Sequence, residues 1–416
     1  MNLGLLGIDP STATLAAAAL RDGAGVPFAS ECADDAASSS LLRSLFSGAK
    51  APTAVPWEHL LDSASCDAVL VAAAGWTDSR AEAVRRLVQA GRTLVLSQPL
   101  ELSMLFAYEL DMIRRDSGAA LVPMLPDRLH PFVARLRNWI EIRLPSGSVE
   151  TITLEHGLVD RGRDDVLRAF CRDTDLIRVL AGAPVRLSTL GASDGQTAWS
   201  TLAIGLSCPA RPPVRWQVVR ADAPGLTITV VAADGTVRLV IPEGSFPEGS
   251  VEAGAWRWED SDGTETSPYD RGAVMLGVLD ETLAGTIGAT DPPAASWDDA
   301  ARGVEMAETV PRSVAKGRGI DLHQEEFTEI GTFKGTMASL GCGIVLLALA
   351  VIVFATLLGG IAKQTGWAFG ERLAGLWPIA VLTAMGLFLL LQFLPALVGT
   401  APPPAEPDTR GNPGKP

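Results

Sequence analysis

The chain has 416 residues, 47% of them hydrophobic and 20% charged, and carries a formal net charge of -14 at pH 7. That length admits two ordinary domains and a sizeable core. The acidic balance, with no basic stripe, excludes a nucleic-acid backbone as partner, and five scattered cysteines with four dispersed histidines show neither zinc-type spacing nor a disulfide framework, so no metal is expected.

The opening, MNLGLLGIDPSTATL, is an apolar run at 3–6, a turn at Gly7 and a helix-prone stretch from Ala13. A dinucleotide-binding turn needs two further glycines, one so that the backbone can approach a pyrophosphate and one for close helix–strand packing. Asp9 and Thr12 stand there instead. Asp9 is read as a cap for the following helix, and its carboxylate would repel an approaching pyrophosphate. Next come a buried strand (CDAVLVAAAG), an amphipathic helix closed by Gly91 (DSRAEAVRRLVQAG), a strand (RTLVLSQP), a helix (LELSMLFAYELDMIRRDSG) and a strand (AALVPM). Repeated βα units over 1–125 predict a parallel sheet with right-handed crossovers.

One helix follows Pro131, and the texture then changes. TITLEHG, TLAIGLS, VRWQVVRA and LTITVVAADGTVRLVIPE alternate or are β-branched, between Gly, Pro and Asp-Gly turns. They predict an open antiparallel sheet, interrupted by a helix over 166–180 and closed by a helix in ASWDDAARGVEMAETVPRSVAKG. This second α/β domain spans 126–322, and a linker covers 323–339.

The far end is of another kind. Residues 335–362 contain no charge, and two apolar runs, 340–362 and 376–398, are each long enough to cross a bilayer. The short loop between them, KQTGWAFGER, predicts a hairpin of two transmembrane helices, with Trp367 and Trp377 at the interface. Lys316, Arg318, Lys334, Arg410 and Lys415 flank the pair outside, against Lys363 and Arg372 in the loop, which places both ends in the cytoplasm. The opening residues carry no basic stretch leading into an apolar one, so the expectation is a multi-pass cell-membrane protein with a cytoplasmic body. The tail, 399–416, is Pro-rich and expected to be disordered.

In their order and spacing, several segments over 1–322 resemble the Gfo/Idh/MocA family of nicotinamide-dependent oxidoreductases. DAVLVAAAGWTDSRAEAVRRLVQAGRTLVLSQPL is similar to that family's fourth strand, helix, and fifth strand ending in Glu-Lys-Pro. PDRLHP resembles the segment joining its domains, DLIRVLAG its catalytic helix, and SWDDAARGVEMAETVPRSVAKGRGIDL its closing helix and strand. The resemblance implies a Rossmann-like domain, an α/β domain walling the substrate cleft, and NAD or NADP as cofactor. It places the cofactor contacts at Gly7, Asp9, Thr12, Glu31 and Gly75, with Glu31 toward a ribose hydroxyl. It also puts Gln98 where the family has a lysine, and Arg172 and Arg168 three and seven residues before Asp175, where it has a histidine and an aspartate. A glutamine carries no charge and arginine stays protonated, so neither can act as general base at neutral pH.

Two readings stay open. One is a catalytically degenerate, membrane-anchored body serving as scaffold or ligand-binding module. The other is an NAD(P)-dependent oxidoreductase of sugars or polyols with reassigned chemistry, for which Tyr108, Asp127, Arg128 and His130 are candidates, Arg128 and His130 as substrate contacts. Arg168 and Arg172 lie one helical turn apart, and with Arg128 could hold an anionic small molecule. The lipid bilayer is the expected partner, and homo-oligomerisation is left open.

Overall fold

The computed structural model describes residues 1–32, 36–192, 198–222, 224–243, 254–286 and 292–322, with short helical pieces between 353 and 366. The chain separates into two compact units, Met1–His323 and Gln324–Pro416. The predicted membrane spans, linker and tail lie outside the described residues apart from those helical pieces. Among the described residues no helix is long and apolar enough to cross a membrane.

In the first unit, six parallel strands alternate with helices: β1 (Asn2–Leu6), α1 (Pro10–Arg21), β2 (Gly25–Ser30), α2 (Ala36–Leu45), β3 (Thr53–Ala54), β4 (Ala68–Val71), α3 (Asp78–Gln89), β5 (Thr93–Leu96), α4 (Met104–Ser117) and β6 (Leu121–Pro123). The spatial order is β3-β2-β1-β4-β5-β6. Leu3, Leu5 and Leu6 of β1 and all of β4 are fully buried, which explains their unbroken apolar character. Strand order reverses between β1 and β4, so a crevice opens at their carboxyl ends.

The second sheet holds nine strands among the described residues. α5 (Pro131–Arg143) leads into β7 (Val149–Leu158), α6 (Arg163–Ala181), β8 (Arg186–Leu190), β9 (Ala203–Ser207) and β10 (Val214–Arg220). Then follow β11 (Gly225–Ala232), β12 (Gly235–Pro242), β13 (Trp256–Asp260), β14 (Gly263–Ser267), α7 (Arg271–Leu283), α8 (Trp297–Lys316) and β15 (Ile320–Asp321). The order is β14-β13-β12-β11-β7-β10-β9-β8-β15. The expected antiparallel sheet is therefore corrected to a mixed one, because β10 pairs with β7 in parallel after α6, β8 and β9 intervene. Alternating polarity marks a strand with one buried face and carries no information on neighbour direction.

Two late helices reach back to the first sheet. Met275, Leu276 and Leu279 of α7 share a core with Leu3, Leu5 and Leu15. Gly272 makes this possible, since a Cβ there would strike the Thr14 carbonyl of α1. The start of α8 (Trp297, Ala300, Ala301) joins the core under α3 and α4, while Val304, Ala307 and Val310 pack with α6 and the second sheet. Thus α8 is shared between the hydrophobic cores of both sheets.

Candidate functional site

At the end of β1, Gly7 takes φ +74°, a left-handed turn that glycine alone adopts without strain. Asp9 then caps α1 as expected. Its Oδ1 accepts from the Thr12 N–H at 2.9 Å, while the Thr12 hydroxyl accepts from the Asp9 N–H at 2.9 Å. The same carboxylate accepts from the Ala73 N–H beyond β4 at 2.8 Å and from the Ser97 hydroxyl beyond β5 at 3.1 Å. An internal anion therefore engages the donors where helix N–H groups and dipole would draw a phosphate.

Arg80, in the first turn of α3, points under the same turn. Its guanidinium donates to Glu31 Oε2 at 2.8 Å and to the Ala74 carbonyl, with its side chain only 3% exposed. A Cβ built on Gly7 would sit 2.7 Å from Arg80 Nη1, and one on Gly75 would sit 3.7 Å from both terminal nitrogens. The guanidinium thus occupies the space between Gly7, Gly75 and Glu31. Glu31 adopts φ +53° and spends its carboxylate on this ion pair.

Beyond Asp9 the crevice opens into a cavity of about 590 Å³ between the two sheets. Of the residues singled out in the sequence, Asp9, Gly75, Gln98, Asp127, Arg168, Arg172 and Asp175 line it. Arg168 donates to the Pro99 carbonyl at 3.1 Å, and no described carboxylate pairs with it. Arg172 reaches Glu243 at 3.2 Å, and both of these side chains are partly exposed. Gln98 is 9% exposed, and its Nε2 has no hydrogen-bond partner. Asp175 is 4% exposed, with Oδ1 3.4 Å from Arg128 Nη1. Burial pushes its carboxyl up to about 7, with Arg128 pulling down and Asp299 pushing further up.

The sequence reading missed a pair on this wall. Inner positions of β7 run Ile152, Leu154, His156, Leu158, so an imidazole interrupts an apolar face. His156 Nδ1 lies 2.6 Å from Asp173 Oδ2, which also accepts from Trp216 Nε1 at 2.7 Å. Burial works to lower the His156 pKa, but the charge and hydrogen bond of Asp173 outweigh it, with Arg172 opposing and Glu243 assisting, and the value is raised. His156 lines the cavity, and its Nε2 is buried without a partner. The available signal was a histidine in phase with the apolar face of a strand. Arg80 left a fainter one, a basic residue on the apolar stripe of α3.

Arg128 and His130 were expected to contact substrate, and neither is on the cavity wall. Arg128 is buried and committed to Asp299 at 3.0 Å and to Asp175. His130 is fully buried, accepts from the Phe132 N–H to cap α5, and stacks on Trp256 with ring centroids 4.0 Å apart. Burial holds its pKa down at about 4, so it stays neutral, with Asp127 opposing this and Arg271 assisting. Asp127 lines the cavity but pairs with Arg271 at 2.6 Å. Among the described residues no cluster of side chains could hold a metal ion.

No family model and no curated protein matches the sequence. Solved structures do. A Sinorhizobium meliloti 1021 protein classed as a myo-inositol dehydrogenase aligns over 78% of this chain and 100% of its own, at TM-score 0.57 and 20% identity. Levoglucosan dehydrogenase in complex with NADH and L-sorbose aligns over 78% of this chain and 99% of its own, at TM-score 0.59 and 14% identity. An Agrobacterium radiobacter oxidoreductase in complex with NAD+, L-tartaric acid and magnesium aligns over 77% and 98%, at TM-score 0.54 and 14% identity. The fold is that of the Gfo/Idh/MocA oxidoreductases. In this fold the crevice described above is the seam between a Rossmann-like parallel sheet and a mixed sheet.

Proposed function

We propose that this chain uses the Gfo/Idh/MocA fold as a ligand-binding body that performs no dinucleotide-dependent hydride transfer. The observation that carries this reading is Arg80, buried against Gly7 and paired with Glu31. In a dinucleotide-binding sheet the pyrophosphate sits at the first helix N-terminus, the backbone comes close at the glycine turn, and an acidic residue after β2 takes ribose hydroxyls. These residues do not fit such a group. Asp9 would set a carboxylate against the pyrophosphate, and the ribose would have to displace a guanidinium from its ion pair. On the cavity side, Gln98, Arg168 and Arg172 supply hydrogen-bond donors and charge but no general base.

The two uncharged runs tether this body to a bilayer in the proposal, with the body on the cytoplasmic side. Gly341, Gly343 and Ala348 in the first run would permit close helix association, and with it a homo-oligomer.

One observation favours an active oxidoreductase with reassigned chemistry, namely His156 held by Asp173, since an imidazole fixed by a carboxylate can move a proton. The deciding experiment assays the full chain in detergent for NAD or NADP reduction across a panel of polyols and sugars. No turnover is expected. Turnover that disappears in His156→Ala would establish the active enzyme instead.

A further inference from the structure

Two buried polar atoms that line the cavity, Gln98 Nε2 and His156 Nε2, lack protein partners, and Asp175 Oδ1 has the 3.4 Å ion pair with Arg128 but no hydrogen bond. Their residues are 9%, 5% and 4% exposed. Burying an unpaired polar group is costly, so such groups around one space point to a polar occupant. Arg168 adds to the same cavity a guanidinium that no described carboxylate neutralises.

The chemistry of these groups restricts the occupant. Gln98 Nε2 and Arg168 only donate hydrogen bonds. His156 uses Nδ1 toward Asp173, so its protonated form presents an N–H at Nε2. Three donors, one permanently charged and one charged on protonation, call for an oxyanion. Asp175 on the same wall can accept from a hydroxyl. A cavity of about 590 Å³ is larger than a bare inorganic anion requires and falls within the usual range for small organic ligands.

We propose that the cavity binds a small hydroxycarboxylate, its carboxylate held by Arg168, Gln98 and His156 and a hydroxyl turned to Asp175. This deepens the preceding reading and rests on it, because the site works with no dinucleotide beside it. Asp173 and Arg172 on α6, Glu243 after β12 and Trp216 on β10 surround His156 and set its charge. Arg172 is itself partnered by Glu243, so it is not counted among the ligand's donors.

The test is calorimetric titration of the full chain in detergent, at about pH 6 where His156 is charged, with gluconate, sorbitol and inorganic phosphate as probes. Gluconate is expected to bind roughly tenfold or more tightly than sorbitol, and Arg168→Gln to lose roughly tenfold of that affinity. Arg168 is only partly buried, with one hydrogen bond to a carbonyl, so this variant tests the site without emptying the core. Equal binding of gluconate and sorbitol, or an unchanged Arg168→Gln, overturns the proposal. Phosphate binding as tight as gluconate overturns the hydroxycarboxylate assignment. A parallel NADH titration separates the two readings: saturable NADH binding defeats the cofactor argument whatever the acids do, and loss of acid selectivity defeats this one whatever NADH does.

Discussion

Asp9 is a 6%-exposed carboxylate that accepts hydrogen bonds from Thr12, Ala73 and Ser97, joining the ends of β1, β4 and β5. Asp9→Ala removes a helix cap and leaves two further donors without their acceptor, and should cost about 2–4 kcal/mol in chemical denaturation at neutral pH. A loss below about 1 kcal/mol would mean that solvent replaces the carboxylate and the seat is looser than described. Asp175 makes a pH prediction. Its folded-state pKa, about 7, lies above the ordinary carboxylate value, so the folded protein binds the extra proton and this group's contribution falls as pH rises from about 4 to 7. Asp175→Asn should therefore match the parent near pH 4 and exceed it by roughly 1–3 kcal/mol near pH 8, read as the difference between two denaturation series. Arg128 would keep Asp299, whose carboxyl is held down at about 2 against burial by the Ser296 N–H, Arg128 and Arg178. An Asp175→Asn variant less stable than the parent near neutral pH, by a margin that shrinks toward acid pH, would show that Asp175 is an ordinary ionised partner of Arg128. Asp9 as a cap was legible from its place before Pro10. Arg80 and His156 were not, because a buried polar side chain is identified by its partners, and Glu31 and Asp173 are distant in sequence or on another element.

Between elements, close contacts at two glycines seat the shared helices. A Cβ on Gly303 of α8 would lie 2.9 Å from the Cys171 carbonyl and 2.8 Å from Thr174 Oγ1 of α6. Gly303→Ala should force these helices apart and lower stability by about 1–3 kcal/mol, measurable as a lower denaturation midpoint at unchanged slope. Since α6 carries Arg168, Arg172, Asp173 and Asp175, the same variant should also weaken ligand binding. A neutral substitution would show that the crossing has slack and does not fix the cavity wall. Parallel βα units in the first sheet could be read from sequence because β1, β4 and β5 are short apolar runs, each followed by a capped helix. The direction of β10 could not, since the same alternation suits either neighbour. Nor could the return of α7 to α1, which rests on one small residue, Gly272, and a face that would suit many partners.

For the whole molecule, the proposed bilayer tether rests on sequence, in 340–362 and 376–398. The full chain should sediment with membranes and resist alkaline extraction, and its release into the aqueous supernatant would remove the tether from the account. In the proposed reading, side chains of the protein itself fill the dinucleotide seat. Fluorescence titration of the detergent-solubilised full chain with NADH tests it most directly. With the seat filled, NADH should give no saturable enhancement or energy transfer from the ten tryptophans up to about 1 mM, the weak end of ordinary cofactor affinity. Saturable binding in the micromolar range, weakened by reversing the charge of Glu31 with Glu31→Lys, would contradict it.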